Sequence, residues 1–310
     1  MTSVTTSDAF VHPALFYRTE REYIQQTLAF LKEGLAQHEP MAVAVPGPNL
    51  ELIKTALGAD GEGILFLDMT EVGLNPGRII PRVLRGFADG HPEGRVRIIG
   101  EPIWAGRSET EYPACAQHEA LINVAFEGRA VTILCPYDET ALEPEVLADA
   151  RITHPLVIDG DGQQKESDVY DWRAIADRYN QPLVRPEHAP AFSYGRQDLP
   201  EVRRFAVARA VDLGLTEERL EDLELSVAEL TTNSVVHGGG RGTLAVWAEH
   251  SRLVCEVHDG GRLSDSLAGR RPPEPGQIGG RGLMLVHYVM DLVRLHTTAE
   301  GTTVRFYLDL

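Results

Sequence analysis

The sequence predicts two α/β domains in series, joined by a proline-rich junction, and three observations lead there. Up to Asp138, long helical patterns alternate with short apolar runs; residues 181–197 are rich in proline; and beyond them the order becomes helix, helix, two strands, helix, strand. A chain of 310 residues has the length for two cores.

The first region opens with "EREYIQQTLAFLKEGLAQHE", in which Tyr23, Thr27, Phe30, Leu31 and Leu35 fall near one helical stripe, followed by the apolar run "MAVAVP". Next come "NLELIKTALG" as helix, "GILFLDM" as strand, "RIIPRVLRGFADG" as helix, "RVRIIGEP" as strand, "ACAQHEALINVAF" as helix and "AVTILCPY" as strand. Repetition of strand and helix favours a sheet with helices on both faces. "ALEPEVLADARITHPLVI" and the helix in "DVYDWRAIADRYN" return to this domain, and the polar "DGDGQQKES" between them reads as an exposed loop. The boundaries that follow are a first domain over 10–180, a linker over 181–191 and a second domain over 192–310.

In the second region "LPEVRRFAVARAVDLG" is a helix. A longer helix follows in "LTEERLEDLELSVAELTTNSVVHG", with Thr216 placed to cap it and Leu220, Leu223, Val227 and Leu230 as its apolar stripe. "GTLAVWAEH" and "RLVCEVHDG" read as adjacent strands, "GLMLVHYVMDLVRLH" as one helix and "GTTVRFYLDL" as the last strand. This order describes a two-layer α/β sandwich.

Composition narrows the function. With 43% hydrophobic and 24% charged residues the chain is globular. A net charge of -17 opposes attraction to nucleic-acid phosphates or acidic lipid, so neither DNA nor a membrane is the expected partner. The start of the chain carries no secretory pattern and no later stretch supplies the roughly twenty apolar residues of a bilayer span, so a cytoplasmic location is expected. Cys115, Cys135 and Cys255 suit a reducing compartment as buried thiols.

Chemistry concentrates in the second region. Glu229 and Asn233 in "ELTTNSVVHGGG" are four residues apart and share a helix face, where an amide oxygen can hold magnesium and a carboxylate can take a proton; they can also simply meet solvent. His237 and the glycines after it, Gly238 first, can touch phosphate or end the helix at the surface. Asp259 ends an apolar strand, where it can accept from an amine at a pocket floor or cap an exposed turn. "GGRGLMLV" places Gly280, Arg281, Gly282 and Leu283 at a helix start, suited to phosphate or to an ordinary turn, and Arg281 equally to solvent. No P-loop or dinucleotide fingerprint is present.

Taken in order, "ELTTNSVVHGG", "VHDGG", "GGRGLMLV" and "GTTVRFYL" make residues 192–310 resemble the histidine-kinase-like, Bergerat-type ATPase domain, and within it the bacterial anti-sigma factor serine kinases. The resemblance implies ATP and Mg2+, with Glu229 activating the acceptor hydroxyl, Asn233 holding the metal and Asp259 reading adenine. Gly261 would line the base pocket, Gly280 and Gly282 would approach the phosphates, and Thr303 would support the adenine end. His237, Gly238, Arg281 and Leu283 complete the implied contacts. Residues 262–278 correspond to the variable lid, where Leu263 replaces the family's later glycine.

The implied partners are a sigma factor and an anti-anti-sigma protein of the STAS type, with a homodimer also compatible. A nucleotide-dependent binding switch without strong kinase activity is the second reading.

"HPALFYRTEREYIQQTLAFLKEGL", "LDMTEVGLNPGRI", "GEPIW" and "FEGRAVTILCPYD" make residues 10–180 resemble the sensory (MEDS) domain of dichloromethane-responsive regulators and methanogen proteins, similar in layout to a RecA-like core. His12, Tyr17, Trp104, Glu111, Glu119, Cys135 and Tyr137 are the candidates around an unknown small-molecule or protein signal, or are packing residues. Cys115 and His118 share a helix face but would need further ligands to bind zinc.

Overall fold

The computed structural model describes residues 10–272 and 280–310. The chain divides into two compact units, one up to Tyr179 and one from Asn180 onward.

The first unit is built on a seven-stranded sheet. Its strands are β1 (Pro13–Tyr17), β2 (Met41–Val45), β3 (Leu65–Asp68), β4 (Val96–Gly100), β5 (Val131–Asp138), β6 (Leu156–Ile158) and β7 (Gln164–Glu166), in the spatial order β3-β2-β4-β5-β1-β6-β7. All neighbours are parallel except β6 and β7. Parallel strands must be covered on both faces, and β2 and β4 accordingly consist of buried residues throughout. The helices are α1 (Glu20–Gln37), α2 (Gly47–Leu57), α3 (Met69–Val72), α4 (Arg85–Asp89), α5 (Tyr112–Ala125), α6 (Pro144–Thr153) and α7 (Trp172–Arg178). Leu15 and Tyr17 of β1 and Leu134 of β5 pack in one core with Tyr23 and Leu31 of α1 and Ile53 of α2. Alternation along the strands sends Ala14, Phe16, Cys135 and Tyr137 to the opposite face.

Two expectations change here. "RIIPRVLRGFADG" is not one helix but a 3-10 turn at Pro76–Arg78, a π-helical stretch at Ile79–Leu84 and the short α4. Pro81 explains the break, since it lacks an N–H and its ring crowds the carbonyl one turn back, which widens the helix. "DGDGQQKES" is exposed as expected but contributes β7, because Gln164–Glu166 closes a hairpin on the otherwise open edge of β6.

The second unit is a five-stranded antiparallel sheet with helices packed on one face. The strands are β8 (Ala191–Gly195), β9 (Arg241–Glu249), β10 (Arg252–Asp259), β11 (Leu292–Thr297) and β12 (Thr302–Asp309), ordered β11-β12-β10-β9-β8. The helices are α8 (Leu199–Asp212), α9 (Glu217–His237) and α10 (Gly282–Val289). One core joins Val202 and Ala206 of α8, Leu223, Val227 and Leu230 of α9 and Val286 of α10 to Leu244, Cys255, Val257 and Phe306 of the sheet.

The sequence pattern undercounted these strands. "GLMLVHYVMDLVRLH" ends as a helix at Val289, and Met290 turns extended (ψ 148°) so that Leu292–Thr297 forms β11 against β12. Ladder pairing of "LVRLHT" with β12 won over a helical period that the apolar residues fit equally well. β8 lies inside the stretch read as junction, paired to β9 as an edge strand. Thr216 does occupy the N-cap of α9, but its side chain makes no capping hydrogen bond. Cys115, Cys135 and Cys255 are buried and form no disulfide. Among the described residues no helix is long and apolar enough to cross a membrane.

Candidate functional site

The second unit contains a cavity of about 680 Å³ between α9, the end of β10, the segment after it and the start of α10. That volume is in the range of small-molecule sites. Its lining includes Asn233, His237, Gly238, Asp259, Gly261, Gly280, Arg281, Gly282 and Leu283, all of which the sequence motifs single out. Apolar walls come from Leu230, Val257, Leu267, Met284 and Val304.

Glu229 and Asn233 meet the first residue of α10. A methyl group added at Gly282 would lie 2.5 Å from Glu229 Oε2 and 3.3 Å from Asn233 Nδ2, so any side chain there would displace the Glu229 carboxylate. The α10 N-terminus, whose first backbone N–H groups have no intrahelical acceptors and whose N-cap Arg281 adds no side-chain cap, thus abuts both polar side chains.

Asp259 is held by two donors. Ser234 Oγ donates to Oδ2 at 2.7 Å and the Gly261 N–H donates to Oδ1 at 2.8 Å. Behind Ser234, the Tyr194 hydroxyl donates to Oγ at 3.0 Å. Burial pushes the Tyr194 hydroxyl up to about 12, with the Asp259 charge adding to it, so the phenol stays protonated and able to donate. Oriented this way the carboxylate keeps lone pairs for an incoming amine. Gly238 packs directly on it, since a methyl there would fall 2.3 Å from Asp259 Cγ.

Thr303 is not part of this lining. It pairs with His258 in the β10–β12 ladder and its hydroxyl meets the His258 ring at 3.0 Å, on the sheet face away from the cavity. The residue opposite Asp259 is Thr302, which lines the cavity and donates to the Gly261 carbonyl at 2.7 Å. The period of two along a strand carries the correction: a shift of one residue changes the face.

Motif reading also passed over Tyr194 and Ser234. The second was visible in principle, four residues after Leu230 on the buried face of α9, but the first lies on a strand that the sequence hid in the junction.

The segment after β10 is described up to Pro272. The Leu263 N–H donates to Thr297 Oγ1 at 3.0 Å, and Asp265 Oδ1 accepts from the Leu267 N–H at 3.0 Å. Gly269, at φ 71°, rests against Leu283 and His287 of α10. Burial, with Arg270 beside it, holds His287 well below the usual histidine range, so this helix presents a neutral ring to the segment. The 273–278 part of the expected lid and Gly279 lie outside the described residues.

In the first unit the seven candidates fall into three groups. Tyr17 packs at a tilt against Tyr23 near Glu101, whose carboxylate accepts from Asn49 Nδ2 at 3.0 and 2.9 Å and from the Tyr23 hydroxyl at 3.3 Å. Burial pushes the Glu101 carboxyl up to about 8, although these hydrogen bonds oppose the rise. Trp104 stacks under the Arg107 guanidinium at 3.9 Å, and Arg107 reaches Glu111 at 3.6 Å. His12, Glu119 and Cys135 converge at the centre, with Tyr137 close by through its edge contact to His154. Cys115 and His118 are buried on α5 but outside that cluster.

Residues 193–308 match the family described as histidine kinase-like ATPase domain, and residues 11–155 match the MEthanogen/methylotroph, DcmR Sensory domain. The chain joins a MEDS domain to a histidine kinase-like ATPase domain. The ATPase match supports ATP binding and an ATPase or kinase role in signal transduction. No curated protein matches the chain. Among solved structures, a histidine kinase (AdeS) of Acinetobacter baumannii is similar at 13% identity over 65% of this chain and 96% of its own, with a TM-score of 0.25.

Proposed function

We propose that the chain is an anti-sigma factor with ATP-dependent serine/threonine kinase activity toward an anti-anti-sigma protein of the STAS type, biased by its MEDS domain. In this reading 10–180 is the sensor on a RecA-like core, 181–191 the linker and 192–310 the kinase. The observation that carries the proposal is the meeting of Glu229, Asn233 and the α10 N-terminus at Gly282, one cavity away from a carboxylate fixed by Ser234 and Gly261.

The residues present suit ATP and Mg2+: an amide beside a carboxylate, an open helix N-terminus, and an oriented acceptor at the far end of an apolar-walled cavity. When bound, ATP with Mg2+ supplies the phosphoryl group and offsets its charge. Asn233 is the residue that would hold the metal, through its amide oxygen. Asp259 accepts from the exocyclic amine of adenine, with Gly238 and Gly261 letting the base come close. Gly280, Arg281, Gly282 and Leu283 offer backbone N–H groups to the phosphates. Glu229 takes the proton released as the acceptor hydroxyl becomes a phosphate ester, a role worth about 10²–10⁴-fold in rate.

Charge favours a protein partner over DNA, given the net -17. The second reading is a nucleotide-dependent switch that captures a sigma factor without phosphoryl transfer, and Leu263 in the cavity wall, where the family has glycine, is what favours it. Incubation of the full chain with labelled ATP, magnesium and the STAS protein separates the two. Acceptor-dependent incorporation supports the kinase; nucleotide-dependent capture of the partner without incorporation supports the switch.

A further inference from the structure

His12 before β1, Glu119 on α5, Cys135 on β5 and His154 after α6 meet at one point beneath the sheet of the first unit, each at most 1% exposed. Their ligating atoms all lie within 4.8 Å of one another. His12 Nε2 is 3.5 Å and His154 Nε2 is 3.2 Å from Glu119 Oε2, and Cys135 Sγ is 3.4 Å from His12 Nε2. Four donors bound tetrahedrally at about 2.0–2.3 Å around one ion stand roughly 3.3–3.8 Å apart, so these edges are near those of a coordination polyhedron.

Both rings have their tautomers set by what lies behind them. Asn123 Nδ2 faces the carbonyls of Thr153, Glu119 and Ala120, which turns Asn123 Oδ1 toward His12 Nδ1 at 3.2 Å and makes that nitrogen the donor. His154 Nδ1 lies 2.7 Å from the Ala150 carbonyl and is likewise the donor. Each ring therefore directs its Nε2 lone pair at a carboxylate. Lone pairs facing an anion out of contact with water repel unless a cation stands between them. Neither Glu119 oxygen nor His154 Nε2 makes an aligned hydrogen bond, despite the short separations.

We propose that His12, Glu119, Cys135 and His154 form a closed binding site for one divalent transition-metal ion of the zinc class. Two imidazoles, a thiolate and a carboxylate suit Zn2+; the all-oxygen preferences of Mg2+ and Ca2+ do not match this set. Asn123 and the Ala150 carbonyl are the outer partners that orient the rings. With four protein ligands and no exposed face, the ion ties β1, α5, β5 and the end of α6 together, so its occupancy sets the stability of the sensory unit. This site is independent of the nucleotide cavity and of the kinase reading.

Cobalt(II) is the probe. The full chain, stripped with chelator under mild denaturation and refolded with Co2+, is expected to retain one equivalent after desalting. It should show the strong visible absorption of a tetrahedral ion together with a thiolate-to-metal charge-transfer band, and one equivalent of Zn2+ should erase both. Cys135→Ser is expected to lose the charge-transfer band, which separates this site from surface histidines. Folding of His154→Ala is not required, because the wild-type spectrum decides by itself. Refolded wild-type protein that takes up less than half an equivalent, or gives a weak octahedral spectrum with no thiolate band, would overturn the proposal.

Discussion

The cavity beside α10 and the buried His12–Glu119–Cys135–His154 cluster use similar side chains under opposite conditions. In the cavity the carboxylate of Asp259 has a donor on each oxygen and an open side toward solvent, so its charge is already tolerated before a ligand arrives. In the cluster the Glu119 carboxylate and two histidine rings face each other out of contact with water, and neither Glu119 oxygen nor His154 Nε2 has an aligned hydrogen bond. An open cleft can therefore be changed with little effect on folding, whereas a sealed cluster joins composition to stability. Substitutions in the first should alter function at nearly constant stability, and those in the first unit's interior should alter stability.

The sharpest contrast comes from Glu229→Gln, which is expected to cut phosphate incorporation by about 10²–10⁴-fold while ATP affinity stays within a few-fold and the melting temperature is unchanged. A radiolabel transfer assay alongside ATP titration checks it, and wild-type transfer rates in this variant would remove Glu229 from the chemistry.

Next in size is a pH effect on the first unit. The Glu101 carboxyl, raised from 4.5 to about 8 by burial, keeps its proton in the folded chain where the unfolded chain has lost it. Its contribution is whole below pH 4.5, declines as pH rises through the window between, and is gone above about 8. The loss is on the order of a few kcal/mol. Calorimetric melting from pH 5 to 9 should show a transition that falls with pH, and Glu101→Gln should flatten that slope; equal slopes would contradict it.

Gly282→Ala is smaller and more selective. The methyl would press on Glu229 Oε2, shifting the start of α10 and weakening ATP by about 10-fold, while alanine's better helix propensity offsets loss of stability. A drop in both affinity and melting temperature would mean that the glycine serves packing alone.

The smallest effect is expected from Tyr194→Phe, which leaves Asp259 its two direct donors but removes the hydroxyl behind Ser234. Loss of one neutral hydrogen bond of about 1 kcal/mol predicts roughly 5-fold weaker ATP binding, with GTP binding unaffected.

Much of the lining of the cavity beside α10 was legible because its parts are short and contiguous. Helix spacing put Glu229 beside Asn233, and glycines mark where backbone must approach a ligand or a side chain, so Gly238 and Gly282 announced themselves. Thr303 was misplaced by one residue because strand register cannot be read without the partner strand. β11 hid inside an apolar run that fits a helix as well as a strand. The first unit's parallel sheet was visible as alternating helices and apolar runs, but its edge hairpin was not, since Gln164–Glu166 carries no strand-like residues. His12, Glu119 and Cys135 were separate candidates in the sequence; only the fold brings His154 to them across long stretches of chain.

In the proposed function the second unit binds ATP with magnesium through Asp259 and Asn233. Isothermal titration of the full chain with ATP, with and without Mg2+, tests it most directly when run beside Asp259→Asn. The expected result is saturable one-to-one binding that strengthens with magnesium and weakens by about 10–100-fold in the variant, as loss of a charged hydrogen bond predicts. Absence of saturable binding in the wild-type chain, or equal affinity in Asp259→Asn, would contradict it.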